Sequence, residues 1–295
     1  MPTNEQRRAS AKRKLQRQLE RRAQQARRRR ILTLVGASVA VVVVAAAVVA
    51  TVLIANHEHQ KKTASASASS SPTTTPAPGA APGVPPLPSF TPSASVGADC
   101  QYPPSPEPAG KPVKPPRTGK VPTDPAQVSA SMVTSQGNIG LLLAQAKSPC
   151  TVNSFASLAA QKYFDDTKCH RLTTAPASGV LQCGDPKGDG TGGPGYQFAN
   201  EYPTDQYKPD DPALHQPVVY PRGTLAMANA GPDTNGSQFF MVYKDTQLPP
   251  EYTVFGTVQA DGLATLDKIA KGGVAGGGED GQPATEVTIK SVRLD

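Results

Sequence analysis

The sequence predicts a mainly β fold, a closed or nearly closed structure with helical caps, placed behind a transmembrane helix and a disordered linker. Three observations predict it. Short apolar/polar alternations of strand type recur from Gln127 onward, whereas only two stretches have convincing helical spacing. An uncharged apolar run, Ile31 to Ala55, is long enough to cross a bilayer. Between the two, Ser, Thr, Ala and Pro dominate from His57 to Pro125, and 17 of the 31 prolines fall between Pro72 and Pro125.

Residues 1–30 hold ten Arg and two Lys against two Glu, a local charge of +10 where the whole chain carries +7, so the remainder sums to −3. A basic tail is one footprint of nucleic-acid binding. Here Arg27 to Arg30 abut the apolar run, which makes the tail a topology signal and argues against a nucleic-acid partner. At about 1.5 Å per residue, residues 31–55 give roughly 37 Å of helix, against a hydrocarbon core of about 30 Å. The apolar region of a cleaved signal peptide is shorter, about 7 to 15 residues. Arginine excess on the N-terminal flank places that flank in the cytoplasm. The expectation is a single-pass signal anchor in the cell membrane, with the lipid bilayer as a partner of residues 31–55 and everything C-terminal extracytoplasmic.

Residues 56–126 are expected to form a disordered, partly polyproline II linker, since their composition cannot bury enough apolar surface to offset its ordering entropy. His57-Glu-His59 lacks the further ligands a metal would need.

The folded domain is expected over 127–295. Val128, Ala130 and Met132 alternate with polar residues as a first strand, Gly137-Asn138 reads as a turn, and Ile139, Leu141 and Leu143 continue as a second strand. After Pro149, Thr151 is a reasonable N-cap for a short helix with Val152, Phe155, Ala156 and Ala159 on one face. A second helix spans about Leu263 to Ala270 and stops at Gly272-Gly273. Val287 to Val292 alternates again as a closing strand.

Cys100, Cys150, Cys169 and Cys183 all lie on the expected outer side, where disulfides persist, and admit three pairings. No close Cys-x-x-Cys pair supports zinc. Gly188-Asp-Gly-Thr-Gly-Gly193 satisfies the dinucleotide pattern, but Pro194-Gly195 follows at once where that pattern opens a helix, so a tight loop beside a binding groove fits better.

The densest chemistry is in Met227-Ala-Asn-Ala-Gly-Pro-Asp-Thr-Asn-Gly-Ser-Gln-Phe-Phe-Met241, amides and hydroxyls beside an apolar end, suited to holding a peptide. With Cys169-His-Arg171, Val180-Leu-Gln182-Cys-Gly-Asp185 and Val254-Phe-Gly256, it resembles the cyclophilins, peptidyl-prolyl cis-trans isomerases, in a membrane-anchored, actinobacterial-like form. The resemblance covers the folded domain and nothing in the first 126 residues. It implies an eight-stranded antiparallel barrel closed by two helices, no cofactor, no metal, and proline-containing polypeptides as partners. It also implies neighbouring strands for the Arg171 and Gln182 segments, and hence a Cys169–Cys183 disulfide with Cys100–Cys150 as the second.

Rotating an X-Pro amide means crossing a barrier of about 18 to 20 kcal/mol without exchanging protons or electrons. A catalyst can work by binding the twisted amide better than the planar one. By resemblance, Arg171 is the catalytic arginine, donating to the prolyl nitrogen as its lone pair localises. Gln182 orients it, and Phe240 floors the proline pocket between Val180 and Leu248. Ala228 and Asn229 pair with the substrate backbone, Gln238 adds a polar contact, and Tyr252 stands where the family has a histidine. Three departures follow. Ten residues separate Arg171 from Gln182, an insertion of three. Gly179 replaces an expected aromatic. The family's tryptophan falls at Gln247, which predicts weak binding of cyclosporin.

Overall fold

The computed structural model describes residues 83–295. The basic tail, the expected anchor and His57-Glu-His59 lie outside the described residues, and among those described no helix is long and apolar enough to cross a membrane.

Twelve strands form one ten-stranded antiparallel sheet and one two-stranded ribbon. They are β1 (Val128–Thr134), β2 (Gly137–Leu143), β3 (Thr167–Lys168), β4 (Arg171–Thr173), β5 (Gly179–Cys183), β6 (Val218–Tyr220), β7 (Thr224–Met227), β8 (Phe239–Lys244), β9 (Thr246–Leu248), β10 (Val254–Val258), β11 (Asp280–Gly281) and β12 (Thr288–Leu294). The sheet runs β11-β4-β5-β8-β7-β10-β2-β1-β12-β3, and β6 pairs β9. Ten strands replace the expected eight for a local reason. Cys169 and His170 interrupt what would be one strand, so that β3 pairs β12 at one edge while β4 pairs β5 near the other. The two-residue β11 then adds to β4. The curled sheet thus brings both its edges to the single segment Thr167–Thr173.

Helix α1 (Pro149–Ala160) and helix α2 (Ala260–Gly272) pack against the sheet, as the two helical patterns predict. Three local expectations shift. The first turn falls at Ser135-Gln136, with Gly137 and Asn138 already in β2. The N-cap of α1 is Ser148, with Pro149 in its first turn, and neither Ser148 nor Thr151 caps it through its own side chain. The carboxylate of Glu201 does so instead, accepting from the amides of Cys150 (2.9 Å) and Thr151 (2.8 Å) and from the Thr151 hydroxyl (2.7 Å).

Burial pushes the Glu201 carboxyl up to about 7 in spite of these donors. The folded state therefore holds a proton that the unfolded chain releases from about pH 4.5, so this group's contribution to stability is present at low pH and fades as pH rises toward 7. Unfolding measured at pH 5 and pH 7.5 should show a loss on the order of 1–3 kcal/mol across that window. Glu201→Gln should flatten the profile, and an equally steep profile in the variant would rule the assignment out.

Period-two alternation divides the strands between two apolar layers. Leu181, Cys183, Leu225, Met227, Phe239 and Met241 face the main core with Phe155, Phe164 and Phe255. Val180, Ala226, Phe240 and Val242 face the opposite way, into a second apolar cluster with Tyr202, Val218, Tyr220 and Val254. A sheet that is apolar on both faces explains why Phe239-Phe-Met-Val242 shows no alternation.

The linker expected over 56–126 is ordered in its C-terminal part. Residues 83–126 run along the domain as an extension that borrows the domain's hydrogen bonds and core. The Val219 amide donates to the Pro85 carbonyl (2.8 Å), and Leu87 and Phe90 pack on the second apolar cluster. Cys100, Tyr102 and Val121 are buried in the main core. The Tyr102 hydroxyl donates to the Cys150 carbonyl at 2.7 Å, and its ring meets Tyr196 and Phe198 edge-on at 5.7 and 5.6 Å. Cys100 is bonded to Cys150 and Cys169 to Cys183, the pairings that the resemblance implied. Proline-rich chain loses less entropy on ordering than flexible chain, so a few anchors suffice.

Candidate active site

Pairing registers line up the site across adjacent strands. Arg171 opens β4 opposite Gln182 on β5, Gln182 lies opposite Phe240 on β8, and Phe240 opposite Ala226 on β7. The Cys169–Cys183 disulfide joins the same β4 and β5 segments beside this row. A cavity of about 180 Å³ opens over it, lined by Arg171, Ser178, Val180, Gln182, Ala228, Asn229, Phe240, Leu248 and Tyr252. All the sequence-predicted site residues are therefore brought together here except Gln238. Ser178 is an addition that sequence reasoning missed.

The floor is apolar. Phe240 is 4% exposed, and its ring meets Tyr252 edge-on at 5.7 Å. The guanidinium of Arg171 stands at the rim. Its Nε and Nη2 donate to the two carboxylate oxygens of Asp280, each at 2.7 Å, and Nη1 donates to Gln182 Oε1 at 3.3 Å. Of its five N–H groups two remain for a ligand. The hydrogen-bonded Arg171 guanidinium holds the Asp280 carboxyl below its usual range, and Asp280 in turn raises the pKa of Arg171, so the pair stays charged. Asn229 spends its side chain on local structure, donating to the Glu251 carbonyl (2.8 Å) and accepting from the Gly231 amide (3.2 Å).

Residues 129–294 match the family described as cyclophilin type peptidyl-prolyl cis-trans isomerase/CLD. The chain belongs to that family. Along all 295 residues it is 76% identical to a probable peptidyl-prolyl cis-trans isomerase B of Mycobacterium tuberculosis, covering 95% of that protein. It is 72% identical to the Mycobacterium leprae protein of the same description, covering all of it. A peptidyl-prolyl cis-trans isomerase of Helicobacter pylori is 39% identical over 147 residues, 49% of this chain and 82% of that one. The chain is thus a cyclophilin-type isomerase with an N-terminal part that the family match does not reach.

Around the cyclophilin site the departures have physical reasons. A side chain at Gly179 would put its Cβ 2.7 Å from that of Lys244, so no aromatic fits and Ser178 lines the cavity nearby. Gln247 donates its amide to the Ala177 carbonyl and is not among the lining residues. Gln238 belongs to a neighbouring cavity of about 480 Å³ that shares Gln182, Ala228 and Asn229 with the first. Its amide donates to the carbonyls of Gly190 and Gly192, both at 2.9 Å, and its Oε1 accepts from Gln182 (2.9 Å).

The glycine-rich loop is fixed from beneath by Asp185, fully buried, whose carboxylate accepts from the amides of Lys187, Asp189 and Gly190. A Cβ at Gly192 would sit 2.0 Å from that carboxylate, which explains one glycine of the run. The loop is a cavity wall rather than a phosphate cradle. Among the described residues no cluster of three or more His, Cys, Asp or Glu is arranged to hold a metal.

Proposed function

We propose that this cyclophilin isomerises X-Pro bonds in extracytoplasmic polypeptides by differential binding of the twisted amide. The observation that carries the reading is a cavity in which a guanidinium with two free N–H groups stands beside an apolar floor. The proline ring enters over Phe240, the Asn229 backbone holds the peptide, and Arg171 donates to the prolyl nitrogen as the amide twists and its lone pair localises. No proton is transferred. Donation costs nothing in reorganisation, because Asp280 and Gln182 already fix the plane of the guanidinium.

The location belongs to the same proposal. Residues 31–55 would anchor the chain in the cell membrane with the basic tail in the cytoplasm, and clients would be secreted or envelope proteins. Two disulfides in the described domain support an oxidising compartment. A catalytically blunted module that only captures proline peptides is the second reading, favoured by the insertion before Gln182. Cis-to-trans exchange of an X-Pro peptide, followed with the full-length chain, separates the two; wild-type protein with no acceleration over the uncatalysed rate would leave only the module.

Cyclosporin should bind weakly. Gln247 supplies no aromatic edge at the rim, while Tyr252 retains a hydroxyl there. Titration of the protein should give micromolar rather than nanomolar inhibition, and nanomolar inhibition would show that another residue replaces the tryptophan.

A further inference from the structure

The floor of the proline cavity, Phe240, is carried by the ten-stranded sheet, but the wall made by Leu248 and Tyr252 is not. Leu248 ends β9, whose strand partner is the three-residue β6, with Leu248 opposite Val218 and Gln247 opposite Val219. Tyr252 stands in the loop that follows. That loop is held from two sides. The Tyr220 hydroxyl, at the end of β6, lies 3.1 Å from the carbonyls of both Pro249 and Tyr252 and donates to them, while the Thr204 hydroxyl donates to the Pro250 carbonyl at 2.8 Å. The supports of the wall are therefore β6 and the segment from Tyr202 to Gln206.

The start of the N-terminal extension, outside the family match, grips both supports. Pro86 pairs with Val219 in parallel, and the Val219 amide donates to the Pro85 carbonyl at 2.8 Å, so the extension adds a third chain to the β6–β9 ribbon. The Tyr202 hydroxyl donates to the Pro88 carbonyl (2.7 Å), and the Thr91 amide donates to Gln206 Oε1 (2.8 Å). The Phe90 ring meets Tyr202 edge-on at 5.6 Å, and the Lys147 ammonium lies 5.0 Å from the Tyr202 ring and 5.8 Å from that of Phe90. Leu87 and Phe90 pack on the apolar cluster that holds Phe240 and on which Leu248 and Tyr252 also pack. A two-stranded ribbon is marginal by itself, and this one has three residues per strand, so its third chain decides how firmly the wall stands.

We infer that Leu87 and Phe90 are positioning residues for proline recognition, acting through β6 and Tyr202 on Leu248 and Tyr252 to fix the width of the cavity that receives the ring. Neither side chain lines that cavity. This rests on the isomerase reading, because the ring is that of the X-Pro bond to be rotated. The extension thus sets how strictly the ring is selected, whereas the chemistry stays with Arg171.

The test uses full-length protein and two peptides that differ by one methylene, one with proline and one with pipecolic acid, whose ring is six-membered. Exchange rates are compared for wild type, for Leu87→Ala with Phe90→Ala, and for Val121→Ala, which weakens the extension in the main core away from the wall. A formed apolar pocket discriminates one methylene, so wild type should favour the prolyl peptide in kcat/KM by about tenfold or more, and the double variant by about threefold or less. KM for the prolyl peptide should rise in the double variant with kcat nearly unchanged, since the ring is held alike in ground and transition states. Val121→Ala should keep the wild-type ratio despite a lower melting point. A ratio that the double variant leaves intact, a ratio that Val121→Ala lowers as far, or a wild-type ratio near one overturns the proposal. Where the double variant does not fold, either single substitution carries the same comparison. Absence of catalysis on the prolyl peptide by wild type speaks against the isomerase reading alone. In that event the same ratios are read from peptide binding, where a ratio equal in wild type and variant overturns the positioning role.

Discussion

Arg171→Ala should lower kcat/KM for X-Pro isomerisation by about 10²- to 10³-fold, equivalent to roughly 2.7–4 kcal/mol of transition-state stabilisation, the cost of removing one preorganised donor from a site of this kind. The loss should fall mainly on kcat, since the apolar contacts to Phe240, Val180 and Leu248 persist in the ground state and the free donors matter only as the lone pair localises. Folding should barely notice. The Arg171–Asp280 pair is half-exposed on both sides, and surface pairs contribute about 0–1 kcal/mol. Arg171→Lys should rescue little, because one ammonium cannot bind both Asp280 oxygens, reach Gln182 and still present a fixed donor. Exchange spectroscopy on a proline peptide measures both variants, and a loss under about fivefold in Arg171→Ala would remove the arginine from the mechanism.

Cutting the protein back to residues 127–295, the domain that composition alone delimits, should cost most of its stability. The shortened chain loses the Cys100–Cys150 disulfide, worth about 2–5 kcal/mol. It also loses the buried Tyr102, whose removal compares with a large-to-small core change of about 3–5 kcal/mol. Val121, Leu87 and Phe90 leave with it. Against a total stability of about 5–15 kcal/mol, a soluble product should melt at least about 10 °C below a chain beginning at residue 83. Cys100→Ser with Cys150→Ser should lie between the two. Melting points within about 2 °C of each other would mean that the extension is a passenger.

These two expectations mark what could be read from the sequence and what could not. The row of Arg171, Gln182 and Phe240 was legible as a group because its parts are short and local: His-Arg, Gln-x-Gly-Asp and Gln-Phe-Phe each sit on one strand or its end, and the fold aligns them. Asp280 was not, since it lies in a glycine-rich stretch with no periodicity and meets Arg171 only through long-range pairing of β11 with β4. The extension was misjudged for a different reason. Its average composition is that of disordered chain, yet order comes from a few widely spaced anchors, Leu87, Phe90, Cys100, Tyr102 and Val121, whose partners belong to the domain. An aromatic or cysteine inside a proline-rich stretch is the signal that would have found it. The strand count differed where Cys169 and His170 break a strand, an event that depends on how the sheet edges meet rather than on local propensity.

The Cys100–Cys150 bond also has a mechanical meaning. A pull on the N-terminal side of the domain enters at residue 83 and can peel away only the seventeen residues up to Asp99, one main-chain bond after another. At Cys100 the load passes through sulfur into helix α1 and is carried by the sheet. Ser105, Pro106 and Glu107, which wall the larger cavity, lie beyond that stop. A pull on the extension therefore stops at the disulfide and leaves the segment that lines the larger cavity in place.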